Sequence, residues 1–220
     1  MDKTDLIDID LTAWPRRQHF EHYLNVVPCT YAITVELDVT NFVDAVRSSG
    51  RRTYVAQIWA IAHVVNRHDE FKMALTDSHR PAVWSTVHPS FTVFDASRET
   101  FASVWVPYDS DFPTFHDAAT HVIAKYASAT DLFPQGPPPR NAFDVSSLPW
   151  TNFTGFTINV DPKANHLAPI FTLGRYVERD DRTLLPLAIQ VHHAAADGFH
   201  TARLVTELRD LLDDPSWLEA

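Results

Sequence analysis

The chain has 220 residues, 45% hydrophobic and 21% charged, so one domain spanning residues 1–220 can bury a sizeable core without disulfides or a structural metal. A formal net charge of −10, from 18 basic and 28 acidic residues, argues against nucleic acid as a partner, which needs a basic footprint. The single cysteine, Cys29, rules out an internal disulfide framework and suits a reducing, cytoplasmic setting. Met1 to Asp10 carries acids and no long apolar run, which reads as neither signal peptide nor anchor, and no stretch reaches the roughly 20 apolar residues that span a bilayer. No membrane partner is expected.

The first predicted element is a helix over Arg16 to Val26, with Phe20, Tyr23 and Leu24 on one face. A strand follows over Ala32 to Leu37, rich in β-branched residues. Thr40 is expected to cap a short helix that carries Phe42, Val43 and Val46 and closes at Gly50. Tyr54 to Asn66 is apolar on most sides and reads as a buried helix. Strands are predicted over Ala82 to Val87, Ser90 to Phe94 and Phe101 to Val106, then a more polar helix over Phe112 to Tyr126. Phe133 to Arg140 holds four prolines and a glycine and is a loop. Three further strands are predicted at Thr154 to Val160, Ile170 to Val177 and Leu184 to Val191. Beyond Gly198, Leu204, Val205, Leu208, Leu211 and Leu212 mark an amphipathic helix. Strands and helices do not alternate strictly, so the fold class is α+β: a two-layer sandwich of a mixed, mostly antiparallel sheet with packed helices.

The chemistry concentrates after the last strand, in His192-His193-Ala194-Ala195-Ala196-Asp197-Gly198-Phe199-His200. A strand runs into paired histidines, then small residues that leave room for close approach, then an Asp-Gly turn opening a helix. Asp197 suits the N-cap or the turn. Three readings compete. The histidines could simply end a strand in a satisfied environment. His192, His193 and His200 could bind a metal, but adjacent strand residues point to opposite faces, there is no cysteine cluster, and no metal is expected. Or one imidazole serves as a general base, the side chain poised near neutrality. A serine nucleophile finds no G-x-S-x-G elbow, and five glycines supply no Gly-rich phosphate cradle.

The strand-to-helix motif H-H-x-x-x-D-G-(F/W)-H resembles the final signature of the chloramphenicol acetyltransferase family, and five further blocks resemble that family in the same order. Trp14-Pro15-Arg16-Arg17-Gln18-His19-Phe20-Glu21 is similar to W-x-R-(R/K)-E-H-F-E, and Pro28-Cys29-Thr30-Tyr31 to P-C-x-(F/Y). Trp84 to Phe94 is similar to W-D-S-V-x-P-x-(F/Y)-T-V-F, while Leu132 to Gly136 and Ser146 to Trp150 resemble two central signatures.

The resemblance implies a coenzyme A-dependent acyltransferase fold and a homotrimer with active sites between subunits. It implies acetyl transfer from acetyl-CoA, a co-substrate and not a permanently bound cofactor, to the primary hydroxyl of chloramphenicol. By resemblance His193 is the general base, Ser146 donates to the oxyanion, Thr172 helps hold a water, and Asp197 pairs with Arg16 to orient the histidine loop. Tyr23, Cys29, Phe101, Phe133, Ile158 and Ile170 fall where relatives line the antibiotic pocket. Tyr54, Trp150, Phe156, Arg175 and Tyr176 fall where relatives contact coenzyme A. Each of these, read alone, would be core or an exposed side chain. The chain departs from the family at His22, where an aromatic is usual beside the pocket tyrosine, and in Ala194-Ala195-Ala196, which replaces Ala-Val-Cys. Dihydrolipoamide acyltransferase cores and condensation domains share H-x-x-x-D-G but lack the W-x-R-R block. A non-catalytic binder would need no base. Six tryptophans and fourteen phenylalanines also supply aromatic surface for an interface.

Overall fold

A computed structural model describes residues 5–161 and 166–219 of the chain. In chain order the elements are β1 (Leu6–Asp8), α1 (Arg17–Glu21), β2 (Thr30–Asp38), α2 (Thr40–Ser49), α3 (Thr53–Asn66), β3 (Met73–Leu75), β4 (Pro81–Trp84), β5 (His88–Asp95) and β6 (Thr100–Trp105). Then come α4 (Phe112–Tyr126), β7 (Ala142–Leu148), β8 (Ile170–Gly174), β9 (Val177–Arg179), β10 (Arg182–His192) and α5 (Gly198–Asp213). Seven strands form the main sheet, in the order β2-β10-β8-β7-β5-β6 with β9 on β10. β7 runs parallel to both β5 and β8, and every other pairing is antiparallel. The architecture is the expected α+β sandwich on a mixed sheet. A small second sheet joins β1, β4 and β3.

Period-two alternation decides which face is covered. Val145 on β7, Phe171 and Leu173 on β8, and Leu187 and Ile189 on β10 are buried in the core shared with the helices. α3 is the central helix, buried from Val55 through Ala62 and again at Val64 and Val65, which explains why it is apolar nearly all round. α5 buries Leu204, Val205, Leu208 and Leu212, the stripe its periodicity marks. The alternate residues Ser146, Thr172 and Ala188 point the other way, onto a face that the core helices leave uncovered.

Local chemistry explains several boundaries. Asp111 caps α4, its Oδ2 accepting from the Thr114 amide at 2.9 Å, with Pro113 in the first turn. Gly50 ends α2 in the left-handed region at φ 67°, which a Cβ would strain. Thr40 is not the N-cap: it is the first helical residue, and its amide and hydroxyl both donate to Asp38 Oδ1 at 3.2 and 2.7 Å. α1 is shorter than expected and gives way to a π-helical turn over His22–Val26.

The strand expected over Thr154 to Val160 does not form. The amides of Phe156 and Ile158 donate instead to Thr34 Oγ1 and Gln190 Oε1, at 3.3 and 2.9 Å, so side chains of β2 and β10 hold the segment as coil over the open face. The single strand expected over Ile170 to Val177 is two, parted where the Arg175 amide turns to donate to the Thr151 carbonyl at 2.9 Å. Ala82 to Val87 stops early because both backbone groups of Val87 are taken by the Asn66 side chain.

Candidate active site

β10 ends at His192, whose buried Nδ1 accepts from the Ala194 amide at 3.1 Å. His193 points to the opposite face. Its amide donates to the Cys29 carbonyl at 2.9 Å, which fixes the backbone at the strand end. Tyr23 stacks on its imidazole with ring centroids 3.8 Å apart and planes 10° off parallel, and Tyr31 meets it edge-on at 5.3 Å. The Tyr31 hydroxyl lies 2.7 Å from Thr201 Oγ1, tying the ring's wall to α5. His193 Nδ1 is buried and lies 3.2 Å from Asp197 Oδ1 without the alignment of a hydrogen bond. The imidazole is thus held between two aromatic rings, stacked on Tyr23 and edge-on to Tyr31.

Asp197 is itself clamped. Arg16 Nε and Nη2 donate to its two carboxylate oxygens at 3.1 and 2.8 Å, a bidentate fork. The same guanidinium donates to the carbonyls of Ala194, Ala195 and His193, so one side chain gathers the whole turn after β10. Burial pushes the Asp197 carboxyl up, but the hydrogen bonds and charge of Arg16 outweigh it and hold the group below its usual 3.8. Cys29, beside this cluster, has its thiol pushed up by burial, so it is no thiolate at neutral pH. Tyr31 is raised by burial, tempered by Thr201.

Ser146 and Thr172 stand opposite each other on β7 and β8, their hydroxyl oxygens 3.1 Å apart. The sheet register separates them from His193. Thr172 faces Ala188 on β10, and His193 lies five residues farther along, about 16 Å at strand rise. β7 is two strands from β10, roughly 10 Å more across the sheet. Within one chain these hydroxyls do not meet the histidine.

The remaining predicted residues divide between these regions. Tyr54, Trp150, Arg175 and Tyr176 line one largely apolar cavity of ≈ 470 Å³ at the mouth of the sheet, together with Gln57, Phe94, Ser147 and Gly174. Burial pushes the Tyr54 and Tyr176 phenols up to about 12, and Gln57 Nε2 donates to the Tyr176 hydroxyl at 2.8 Å. Phe156 is not in this wall; it packs against Phe153, centroids 5.5 Å apart. Ile170 and Ile158 come together through Gln190, which pairs with the first and accepts from the amide of the second. Phe101 pairs with Phe94, which meets Trp150 edge-on at 4.6 Å, so an aromatic row links the open face to the cavity. Phe101 is 52% exposed, Phe133 43% and Ile158 39%, so all three are large apolar side chains left accessible among the described residues.

Sequence reasoning missed several members of the site. Tyr31 lies in the P-C-x-(F/Y) block and could have been taken from it. Ser147 faces the cavity because Ser146 faces away, which follows from alternation once β7 is known. Phe94 closes the Trp84 to Phe94 block and could have been taken from it in the same way, whereas Gln57 carries no signal apart from its helix.

The sequence matches the family model described as chloramphenicol acetyltransferase over residues 4–209. A chloramphenicol acetyltransferase of Streptomyces acrimycini is 66% identical over 210 residues, which cover 96% of each chain. A solved structure named chloramphenicol acetyltransferase superimposes with a TM-score of 0.87, over 94% of this chain and all of that one, at 20% identity. Dihydrolipoamide acetyltransferase of Azotobacter vinelandii superimposes with a TM-score of 0.69 over 92% of this chain and 88% of that one, at 19% identity. At such identities the two structures speak for the fold alone. The full-length family match and the 66% identity settle the kinship: the chain belongs to the chloramphenicol acetyltransferase family.

Proposed function

We propose that this acyltransferase moves an acetyl group from acetyl-CoA to the primary hydroxyl of chloramphenicol, inactivating the antibiotic, at sites shared between the subunits of a cytoplasmic homotrimer. The observation that carries the reading is the clamped imidazole of His193, in a chain 66% identical to a chloramphenicol acetyltransferase. An aliphatic hydroxyl is a poor nucleophile until a base takes its proton, and a positioned base contributes typically ~10²–10⁴-fold. His193 Nε2 takes that proton while the oxygen attacks the thioester carbonyl. The tetrahedral oxyanion accepts a hydrogen bond from Ser146, a contribution of about 10²–10³ in kcat. While Ser146 donates there, its Oγ can still accept from the Thr172 hydroxyl 3.1 Å away, and Thr172 helps hold a water beside the intermediate. Collapse breaks the carbon–sulfur bond, and the imidazolium returns its proton to the leaving thiolate.

The separation of Ser146 and Thr172 from His193 supports a shared site, because only a neighbour's histidine can reach the oxyanion position. The exposed apolar residues Phe101, Phe133 and Ile158 suit the acceptor, whose pocket they would complete against Tyr23 and Cys29 of the facing subunit. The cavity around Tyr54, Trp150, Arg175 and Tyr176 suits coenzyme A. A closed ring of three repeats one heterologous contact without an open edge.

Thiol release from acetyl-CoA in the presence of chloramphenicol, followed with a thiol-reactive chromophore, tests the activity. His193→Ala should lose at least about 10²-fold in kcat with its circular dichroism unchanged. Absence of acceptor-dependent thiol release by the wild-type protein would overturn the proposal, as would more than about a tenth of kcat left in the mutant.

A further inference from the structure

His200, the last residue of the signature, touches nothing that reacts, yet its ring meets both the backbone and the charge network of the histidine loop. Its Nδ1 accepts from the Asp197 amide at 3.0 Å. That contact requires an unprotonated Nδ1, so the ring's proton is on Nε2, which lies 3.4 Å from Glu70 Oε1. The other oxygen of Glu70 accepts from Arg203 Nη2 at 3.0 Å. The His200 side chain is 12% exposed, and Phe199 packs edge-on against it at 5.6 Å. Burial, more than any charge, lowers the His200 pKa, consistent with a neutral ring.

We infer that His200, steered by Glu70, is a positioning residue for acetyl transfer: it fixes the backbone of Asp197, as Arg16 fixes its side chain, and so aims the carboxylate that sets His193. Asp197 is the N-cap of α5, and its amide emerges from the turn that His193 begins. In the usual capping box a Glu or Gln at the third helical position reaches back to the N-cap amide, and His200 occupies that position with an imidazole acceptor instead. Glu70, from the 3₁₀ turn before β3, selects the tautomer that can accept. Losing the acceptor leaves Asp197 held at one end only.

The inference rests on the acetyl-transfer reading for its kinetic arm alone. His200→Ala should lower kcat about 10-fold, within the ~10² that a displacement of about 1 Å can cost, while the KM for acetyl-CoA stays put. His200→Gln should restore most of kcat, since glutamine supplies the ordinary capping acceptor. Glu70→Ala should fall in the same direction by less, and it decides the kinetic arm if His200→Ala does not fold. Amide hydrogen exchange at Asp197 is the second readout: slow in the wild type and His200→Gln, faster in His200→Ala. Wild-type kcat in His200→Ala, no rescue by glutamine, or unchanged exchange would each overturn the assignment. If the wild type releases no thiol, the proposed activity falls, while the exchange measurement still decides the cap.

Discussion

Replacing Arg16 with alanine removes the fork on Asp197 and the donors to three successive loop carbonyls at once. Breaking a fully buried pair costs about 3–5 kcal/mol, because the survivor is stranded. Arg16 is 13% exposed but Asp197 29%, so water recovers part of that loss, and about 2–3 kcal/mol is the expected destabilisation. For a chain of this length that is a fall of roughly 5–10 °C in Tm. The pH dependence follows with a definite sign. Asp197 is held below 3.8 in the folded wild type, so its contribution is complete above that value and lost as pH falls through the lower folded pKa. Without Arg16, burial pushes the carboxyl up, and acid destabilisation should begin at higher pH than in the wild type. Activity should fall about 10²-fold with the loop displaced, and Arg16→Lys should recover some Tm but little kcat, since an ammonium cannot make the fork. Differential scanning calorimetry from pH 3 to 8 with parallel thiol-release kinetics makes the measurement. A mutant within about 1 °C of the wild-type Tm and with unchanged kcat would refute the argument.

Ser146→Ala should lower kcat by about 10²-fold with little change in either KM, because its hydrogen bond strengthens as the oxyanion forms; unchanged kcat in steady-state assays would remove it from the mechanism. Gly174→Ala should raise the KM for acetyl-CoA and cost about 1 kcal/mol or more in a denaturant titration. A Cβ there would stand 3.0 Å from the Phe153 ring and 3.1 Å from Pro186, forcing the segment after Trp150 off the cavity wall, so normal KM and stability would show that this contact yields freely. Sedimentation should give three times the chain mass, with activity lost on dilution only as the trimer dissociates; a fully active monomer would contradict the shared site.

Local signals made much of this legible. Leu204, Val205, Leu208 and Leu212 give α5 by period alone, and Gly50 marks a helix end because little else tolerates its backbone angle. The His193 cluster was legible as a motif because the chain from His192 to His200 is contiguous, although Arg16, Tyr23 and Tyr31 are brought to it from a distance. β1 and β3 were missed because three residues carry too little pattern to read. Thr154 to Val160 has strand-like composition, yet partners from Thr34 and Gln190 decide its conformation, and those are tertiary contacts. The distance between Ser146 and His193 was equally hidden. It depends on which strands pair and in what register, and only the Ser146–Thr172–Ala188 row makes it visible.

That separation gives the most direct test of the shared site. His193→Ala and Ser146→Ala subunits, each nearly inactive alone, can be co-expressed with different affinity tags and purified as mixed trimers. A site needs an intact His193 from one subunit and an intact Ser146 from the next. Each purified mixed trimer, whichever subunit is in the majority, therefore restores one of its three sites, about a third, far above the ~10⁻² residual of either parent. Thiol release at about a third of the wild-type rate is the predicted result. Mixed trimers no more active than their parents would place His193 and Ser146 in the same subunit's site and contradict the account.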